Sequence, residues 1–359
     1  MNLKPHFMNY IISGIQQVGI GNPNVQEAFK WYREHFGMDV KIFEEAAEAN
    51  LMLPYTGGQP HQRHAILAIN LMGGGGFEIW QYTSRNPQSC PFEIQLGDLG
   101  FQITKMKAKN VEKAYAELRQ KNANILGEIT KDLNGKSHFY LKDLNGNLFE
   151  IVEGEEWFND IGYTIGGPAG VTIGVSNLEK SVRFYKEILG YDLILSQQEG
   201  KFEDLSCLPG GKHVFRRVLL THSKNREGSF SELLGKSYIE LLEVKDREPR
   251  KIFEGRYWGD LGFIHLCFDI KNMAALKTHC EKLGFLFTVD SGKNFDMGEA
   301  AGHFSYIEDP DGALIEFVET FRIPVLKKLG WYLDLRKRDP AKRLPRWMLK
   351  ALKFNRVKN

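Results

Sequence analysis

Ile315-Glu316-Phe317-Val318-Glu319 is written, with small changes, three more times in this chain. It recurs as Phe77-Glu78-Ile79-Trp80-Gln81, as Phe149-Glu150-Ile151-Val152-Glu153 and as Ile239-Glu240-Leu241-Leu242-Glu243. Each copy reads as a short strand of aromatic, β-branched and other apolar residues with a carboxylate set in it. Side chains two apart share a face of a strand. Glu150 therefore lies with Leu148 and Val152, Glu240 with Tyr238 and Leu242, Glu316 with Leu314 and Val318, and Glu78 with Trp80. A carboxylate on an apolar face is costly to bury unless it is hydrogen-bonded, paired or bound to a metal. Four such strands at matched places make this an architectural feature.

Working outward, longer repeats frame the short one. The stretch from Asn24 to Asp39 aligns without a gap on Asn177 to Asp192, and both carry the apolar spacing of an amphipathic helix with a glycine, Gly37 or Gly190, where the helix should end. Each follows a short strand, Ile15 to Ile20 or Val171 to Val175. Gly97-Asp98-Leu99-Gly100-Phe101 recurs as Gly259-Asp260-Leu261-Gly262-Phe263, each opening a strand and leading to an asparagine, Asn110 or Asn272, at a helix cap. Asp143-Leu144-Asn145-Gly146 and Asp309-Pro310-Asp311-Gly312 are turns directly before carboxylate strands. The unit is strand, helix, three strands, written four times. Gly73-Gly74-Gly75-Gly76 is read as a turn between strands, since no helix follows it to make a phosphate loop.

The 359 residues have room for two domains. They are read as residues 10–154 and 167–321, joined by a linker at 155–166 and followed by a tail at 322–359. No apolar run is long enough for a membrane span. Met1 to His6 has no charged start followed by an apolar stretch, so no secretory signal is read. Cys90, Cys207, Cys267 and Cys280 form no CxxC pair, which suits a reducing cytoplasm. The net charge of +2 hides an asymmetry: from Arg322 onward there are 13 lysines and arginines against two aspartates, so a basic tail follows an acidic body.

Four such modules, each ending in a glutamate-bearing strand, resemble the vicinal oxygen chelate superfamily, which includes glyoxalase I, methylmalonyl-CoA epimerase, extradiol dioxygenases and bleomycin-resistance proteins. The resemblance spans roughly residues 10 to 321. It implies an α+β fold of four βαβββ modules in two tandem glyoxalase-like domains, in which paired modules curl into a cup around a metal. Its ligand positions fall on Gln17, Ile103, Gly170 and His265 in the first strands and on Glu78, Glu150, Glu240 and Glu316 in the last. If each domain closed its own cup, each site would lack a ligand. If the first module met the fourth, as in fused glyoxalases, Gln17, Glu78, His265 and Glu316 would form one complete set, and Glu150 and Glu240 a degenerate one. The second arrangement is the expected one. Taken singly, Gln17 reads as a polar residue at a strand start, His265 as a core histidine, and the glutamates as partners for arginines such as Arg216 or Arg217. His138 and His303 are read as structural or cavity-lining.

The resemblance implies one divalent ion (zinc, nickel, cobalt, manganese or iron(II)), which suits oxygen ligands with one imidazole. It also implies a metal-dependent lyase or isomerase that abstracts an α-proton from a small oxygenated substrate and stabilises an enediolate or enolate. Glu316 is the implied base, with Glu78 its counterpart. Leu261 and Tyr82 stand where glutathione-using glyoxalases carry an arginine and an asparagine, so glutathione does not carry over. Gly170 stands where a ring-cleaving dioxygenase would place its first histidine. The alternatives are that dioxygenase, or a cup that binds a small molecule without chemistry, as in bleomycin resistance.

In the tail, Leu344, Trp347, Met348, Ala351 and Leu352 fall at helical spacing on one face, with Arg346, Lys350 and Lys353 on others. This basic amphipathic helix is read as docking on the acidic body or on another subunit, with an anionic membrane surface and, after it, nucleic acid as the alternatives. Nothing resembles a nucleic-acid fold. A monomer with internal pseudo-dimer symmetry and a homodimer both remain open.

Overall fold

The computed structural model describes residues 10–292, 295–297, 300–326 and 331–357. Met1 to His6, read above for a leader, lies outside them. The four modules form as expected. The first runs β1 (Ile11–Gly21), α1 (Val25–Phe36), β2 (Val40–Glu48), β3 (Gln62–Ile69) and β4 (Gly76–Tyr82). The second runs β5 (Gly100–Ala108), α2 (Val111–Gln120), β6 (Asn124–Lys131), β7 (Ser137–Lys142) and β8 (Leu148–Glu153). The third has β9 (Ile165–Gly174), α3 (Leu178–Glu187), β10 (Leu193–Gly200), β11 (Phe215–Thr221), a short α4 (Ser231–Leu234) and β12 (Tyr238–Val244). The fourth has β13 (Gly262–Lys271), α5 (Met273–Lys282), β14 (Val289–Asp290), β15 (Phe295–Met297), β16 (Ala300–Glu308) and β17 (Leu314–Leu326).

Local chemistry sets these elements. Asn24, Asn110, Asn177 and Asn272 each accept a backbone N–H of the helix they cap, satisfying donors with no intrahelical partner. Gly37 and Gly190 follow α1 and α3 in the left-handed region, as their places in the repeat require. The opening strands are longer than the sequence suggested: β9 begins at Ile165, inside the stretch read as a linker, and β1 at Ile11.

Two sheets result, and each joins modules from different halves of the sequence. One has the order β14-β16-β17-β13-β1-β4-β3-β2, so the fourth module lies beside the first. The other runs β10-β11-β12-β9-β5-β8-β7-β6, pairing the third module with the second. β1 and β13 are antiparallel neighbours, as are β5 and β9. The two halves are also tied within themselves. Tyr32 of α1 donates to Asp143 in the second module's turn (2.6 Å), and Tyr185 of α3 donates to Asp309 in the fourth module's turn (3.0 Å). The residues flanking the strand carboxylates, among them Phe77, Ile79, Phe149, Ile151, Ile239, Leu241, Ile315 and Phe317, pack with the helices into one large core. The carboxylates face the other way, into the cups.

Two reciprocal straps cross the halves. Arg85, after β4, pairs with the fully buried Asp260 before β13 (2.5 Å), and Gln88 N donates to the same oxygen. In the same relative positions, Arg247, after β12, pairs with the fully buried Asp98 before β5 (2.7 Å), joined by Arg250 N. The glycine run before β4 serves close approach: a Cβ on Gly74 would lie 2.8 Å from the backbone of Gly167 and Pro168.

The tail docks on the body. β18 (Trp331–Asp334) pairs with β17, and α6 (Arg346–Lys350) is shorter than the spacing suggested. Leu344 and Leu349 are buried while Trp347, placed with Leu344 on one apolar face above, is exposed. The helix begins only at Arg346, so Leu344 is positioned by its own N–H, which donates to Ser229 O, rather than by helical phase.

Candidate metal centre

The centre is built by strand register. Across β1 and β13, Gly19 faces His265 and Gln17 faces Cys267; across β4 and β1, Glu78 pairs with Gly19; across β13 and β17, Glu316 pairs with Cys267. Gln17 and His265 thus stand two residues before the positions that pair with the glutamates. The other sheet repeats this relation: Glu150 pairs with Lys105, two after Ile103, and Glu240 with Thr172, two after Gly170.

The structure brings Gln17, Glu78, His265 and Glu316 together. His265 Nε2 lies 3.3 Å from Glu78 Oε2 and 3.2 Å from Glu316 Oε2. The Gln17 amide nitrogen donates to the same two oxygens, at 3.2 and 3.4 Å. Glu78, His265 and Glu316 each offer a ligand atom within 4.8 Å of the others. His265 is fully buried, and neither ring nitrogen has a hydrogen bond of good geometry among the described residues, so Nε2 approaches the carboxylates by distance alone. An orphaned buried nitrogen converging with two carboxylate oxygens fits a cation's donor set.

Electrostatics say the same. Burial works against a charged imidazole, yet the Glu316 carboxylate, and then Glu78, outweigh it and hold His265 up at about 9. Among the described residues neither glutamate pairs with a lysine or arginine. Two buried carboxylates therefore face one imidazole and one neutral amide, an arrangement that attracts positive charge. Burial, with Glu316 next, keeps the Cys267 thiol and the Tyr306 phenol in their neutral forms. The walls are aromatic: Trp258 lies parallel to His265 at 6.1 Å, Tyr306 stands edge-on to it at 5.7 Å, and Trp80 packs against Trp258 at 4.7 Å. Tyr82 donates its hydroxyl to Trp258 O and so helps hold the strap that carries that tryptophan.

The second cup is filled by fixed cations. Lys105 Nζ bridges Glu150 and Glu240, the latter at 2.6 Å. Arg217 reaches Glu240 (2.6 Å) and Asp204 (2.8 Å), and His138 Nδ1 meets Glu150 (2.7 Å). Burial alone would raise Glu240, but Arg217 and Lys105 drive it far below the usual carboxylate range. Of the arginines considered from sequence, Arg217 takes the glutamate; Arg216 instead pairs with Glu179 and Glu243. His138 belongs to this cluster, and His303 pairs with Asp290 (2.5 Å). Sequence reading missed Lys105, Asp204, Trp258 and Tyr306. Lys105 left one signal, an ionisable residue two after Ile103 on the same strand face, which Lys107 shares.

A model of the Glyoxalase/Bleomycin resistance protein/Dioxygenase superfamily matches residues 14–151 and 167–317. Among solved structures, the chain is similar to a point mutant of glyoxalase I from Zea mays, with 15% identity and a TM-score of 0.53 over 85% of this chain and 92% of that one. A putative dioxygenase from Bacillus subtilis is similar at 15% identity and a TM-score of 0.52, over 86% of each chain. At these identities the likeness carries the fold. No curated protein matches by sequence. No helix among the described residues is long and apolar enough to cross a membrane.

Proposed function

The chain belongs to the Glyoxalase/Bleomycin resistance protein/Dioxygenase superfamily, and we propose that it is a metal-dependent lyase or isomerase acting on a small oxygenated substrate. One divalent ion would be held by Gln17, Glu78, His265 and Glu316. The observation that carries this reading is the contrast between the cups: the same pair of strand glutamates is neutralised by Lys105 and Arg217 in one and, among the described residues, left without a lysine or arginine in the other.

When bound, a divalent ion would supply Lewis acidity toward adjacent substrate oxygens, making the neighbouring C–H more acidic. The protein's own part is proton transfer. Glu316 takes the proton from that carbon, and Glu78, facing it across the same imidazole, can return it on the other side of the substrate. His265 is flanked by the rings of Trp258 and Tyr306, which hold its orientation. Gln17 presents its amide nitrogen to the carboxylates; as a metal ligand it presents the amide oxygen, the same group turned over. Glutathione has no support here, since Leu261 and Tyr82 occupy the anchoring positions.

The test is exchange of the substrate α-proton into deuterated solvent, across hydroxy-ketones, keto-acids and thioesters, with metal content measured in each sample. Glu316→Gln keeps the size and an oxygen while removing the charge, and should slow exchange by about 10²- to 10⁴-fold. Glu150→Gln, at the matching position of the other cup, should cost folding stability and leave exchange per folded molecule unchanged. Equal exchange by both variants with metal bound would remove Glu316 as the base. No exchange by any compound would favour ligand binding without chemistry.

A further inference from the structure

The C-terminal segment uses one side to dock and presents another. Leu335, Leu344 and Leu349 are buried among Val40, Ile69, Leu71, Phe158 and Leu233. Arg346 pairs with Glu232 (3.1 Å) and Arg356 with Asp39 (2.6 Å), which fixes the segment at both ends. Trp347 is 62% exposed and Phe354 81% exposed, the only aromatics among the large exposed apolar side chains of the described residues. They lie on α6 and the turn of 3-10 helix that follows it, Ala351–Asn355. Seven residues is about two helical turns, so both leave on the side opposite Leu349. Lys350 lies on the same short helix as Trp347 and Lys353 adjoins Phe354, and neither has a carboxylate within ion-pair distance among the described residues. Lys353 instead lies 5.4 Å from the Phe354 ring.

We infer that this face binds the surface of an anionic lipid bilayer, with Trp347 and Phe354 at the headgroup boundary and the lysines on lipid phosphates and carboxylates. The aromatics are rings with an apolar body of the kind that settles at a membrane interface. The free lysines supply the long-range attraction that such a shallow apolar contact needs. Charge argues against covering the face with the same face of a second copy. A two-fold contact would set the unpaired lysines of one molecule against those of the other.

The full chain is tested by flotation with vesicles of phosphatidylcholine alone and of phosphatidylcholine mixed with phosphatidylserine. It should float with the mixed vesicles only, and salt raised from about 0.1 M to about 1 M should release it as the screening length falls. Both aromatics are exposed, so Trp347→Ala with Phe354→Ala should melt like the parent and bind the mixed vesicles about tenfold or more weakly. Lys350→Glu with Lys353→Glu should abolish binding. Failure to float with the mixed vesicles overturns the inference, as does flotation unchanged in the aromatic variant. Self-association that the aromatic variant loses would assign the face to a second copy, and retention on DNA that it loses would assign it to nucleic acid. Neither readout depends on metal or activity.

Discussion

Gly19→Ala is the sharpest probe of the centre. Gly19 faces His265 across β1 and β13, and a Cβ built on it would lie 2.6 Å from Nδ1 and 2.7 Å from Nε2 of the imidazole, with Cε1 nearer still. Non-bonded heavy atoms settle at about 3.5–4.0 Å, so the ring must retreat by roughly 1 Å. The Gly19 backbone is outside the left-handed region, so alanine brings no backbone strain and the effect is steric. Metal–ligand distances tolerate only about 0.2 Å, and the retreat exceeds that several-fold. Divalent-ion affinity should fall by at least about 10- to 100-fold, and overpacking should cost about 1–3 kcal/mol in stability. The matching position in the other cup is Thr172, which faces Ile103 and donates to Glu240. A β-branched residue is accommodated there because no imidazole lies across from it. Thr172→Ala is therefore the control and should leave ion binding intact. Calorimetric titration with Zn²⁺ and Mn²⁺, beside thermal melting, reads both effects. Parental affinity in Gly19→Ala would refute the placement of His265 as a ligand.

Lys105→Met should destabilise the protein by about 3–5 kcal/mol in urea unfolding, because Glu150 and Glu240 lose a buried cationic partner; a cost below 1 kcal/mol would show the cluster to be slack. Acid should act through the same cluster. Glu150 and Glu240 have folded-state values depressed from 4.5, in each case because the cations outweigh burial. Their stabilisation is thus complete above the unfolded value and lost as pH falls through the lower folded values. Urea midpoints should fall steeply below about pH 4.5, more so than in Lys105→Met, and parallel profiles would contradict this. Arg85→Ala and Arg247→Ala should cost similar amounts, about 1–3 kcal/mol each, because Asp260 and Asp98 keep the same backbone donors. Only Arg85→Ala should change tryptophan fluorescence, through Trp258 on its strap, and an equal change in both would refute that difference.

The repeat, the helix caps, the turns and the faces of the four carboxylate strands were legible in the chain because they are local. A strand face repeats every two residues and a helix face every 3.6; capping needs only an asparagine three residues from a free N–H. Asn110 and Asn272 are placed that way, and so are the turns at Asp143 and Asp309, while the structure adds Asn24 and Asn177 as caps at the starts of the repeat. The ligand set of Gln17, Glu78, His265 and Glu316 could be listed from module positions. Its assembly was decided by which module lies beside which, since β1 and β13 are far apart in sequence and become neighbours only through the sheet. Nothing local distinguishes Glu150 from Glu316. One meets Lys105 and the other meets His265 because register sets a lysine across from the first and leaves an imidazole two residues from the position facing the second. The same holds for the tail, where spacing grouped Trp347 with Leu344 and the body buried only Leu344. Short-range periodicity fixes which way a side chain leaves its own backbone; what stands opposite it, and so whether its charge is neutralised, is fixed only when distant strands meet.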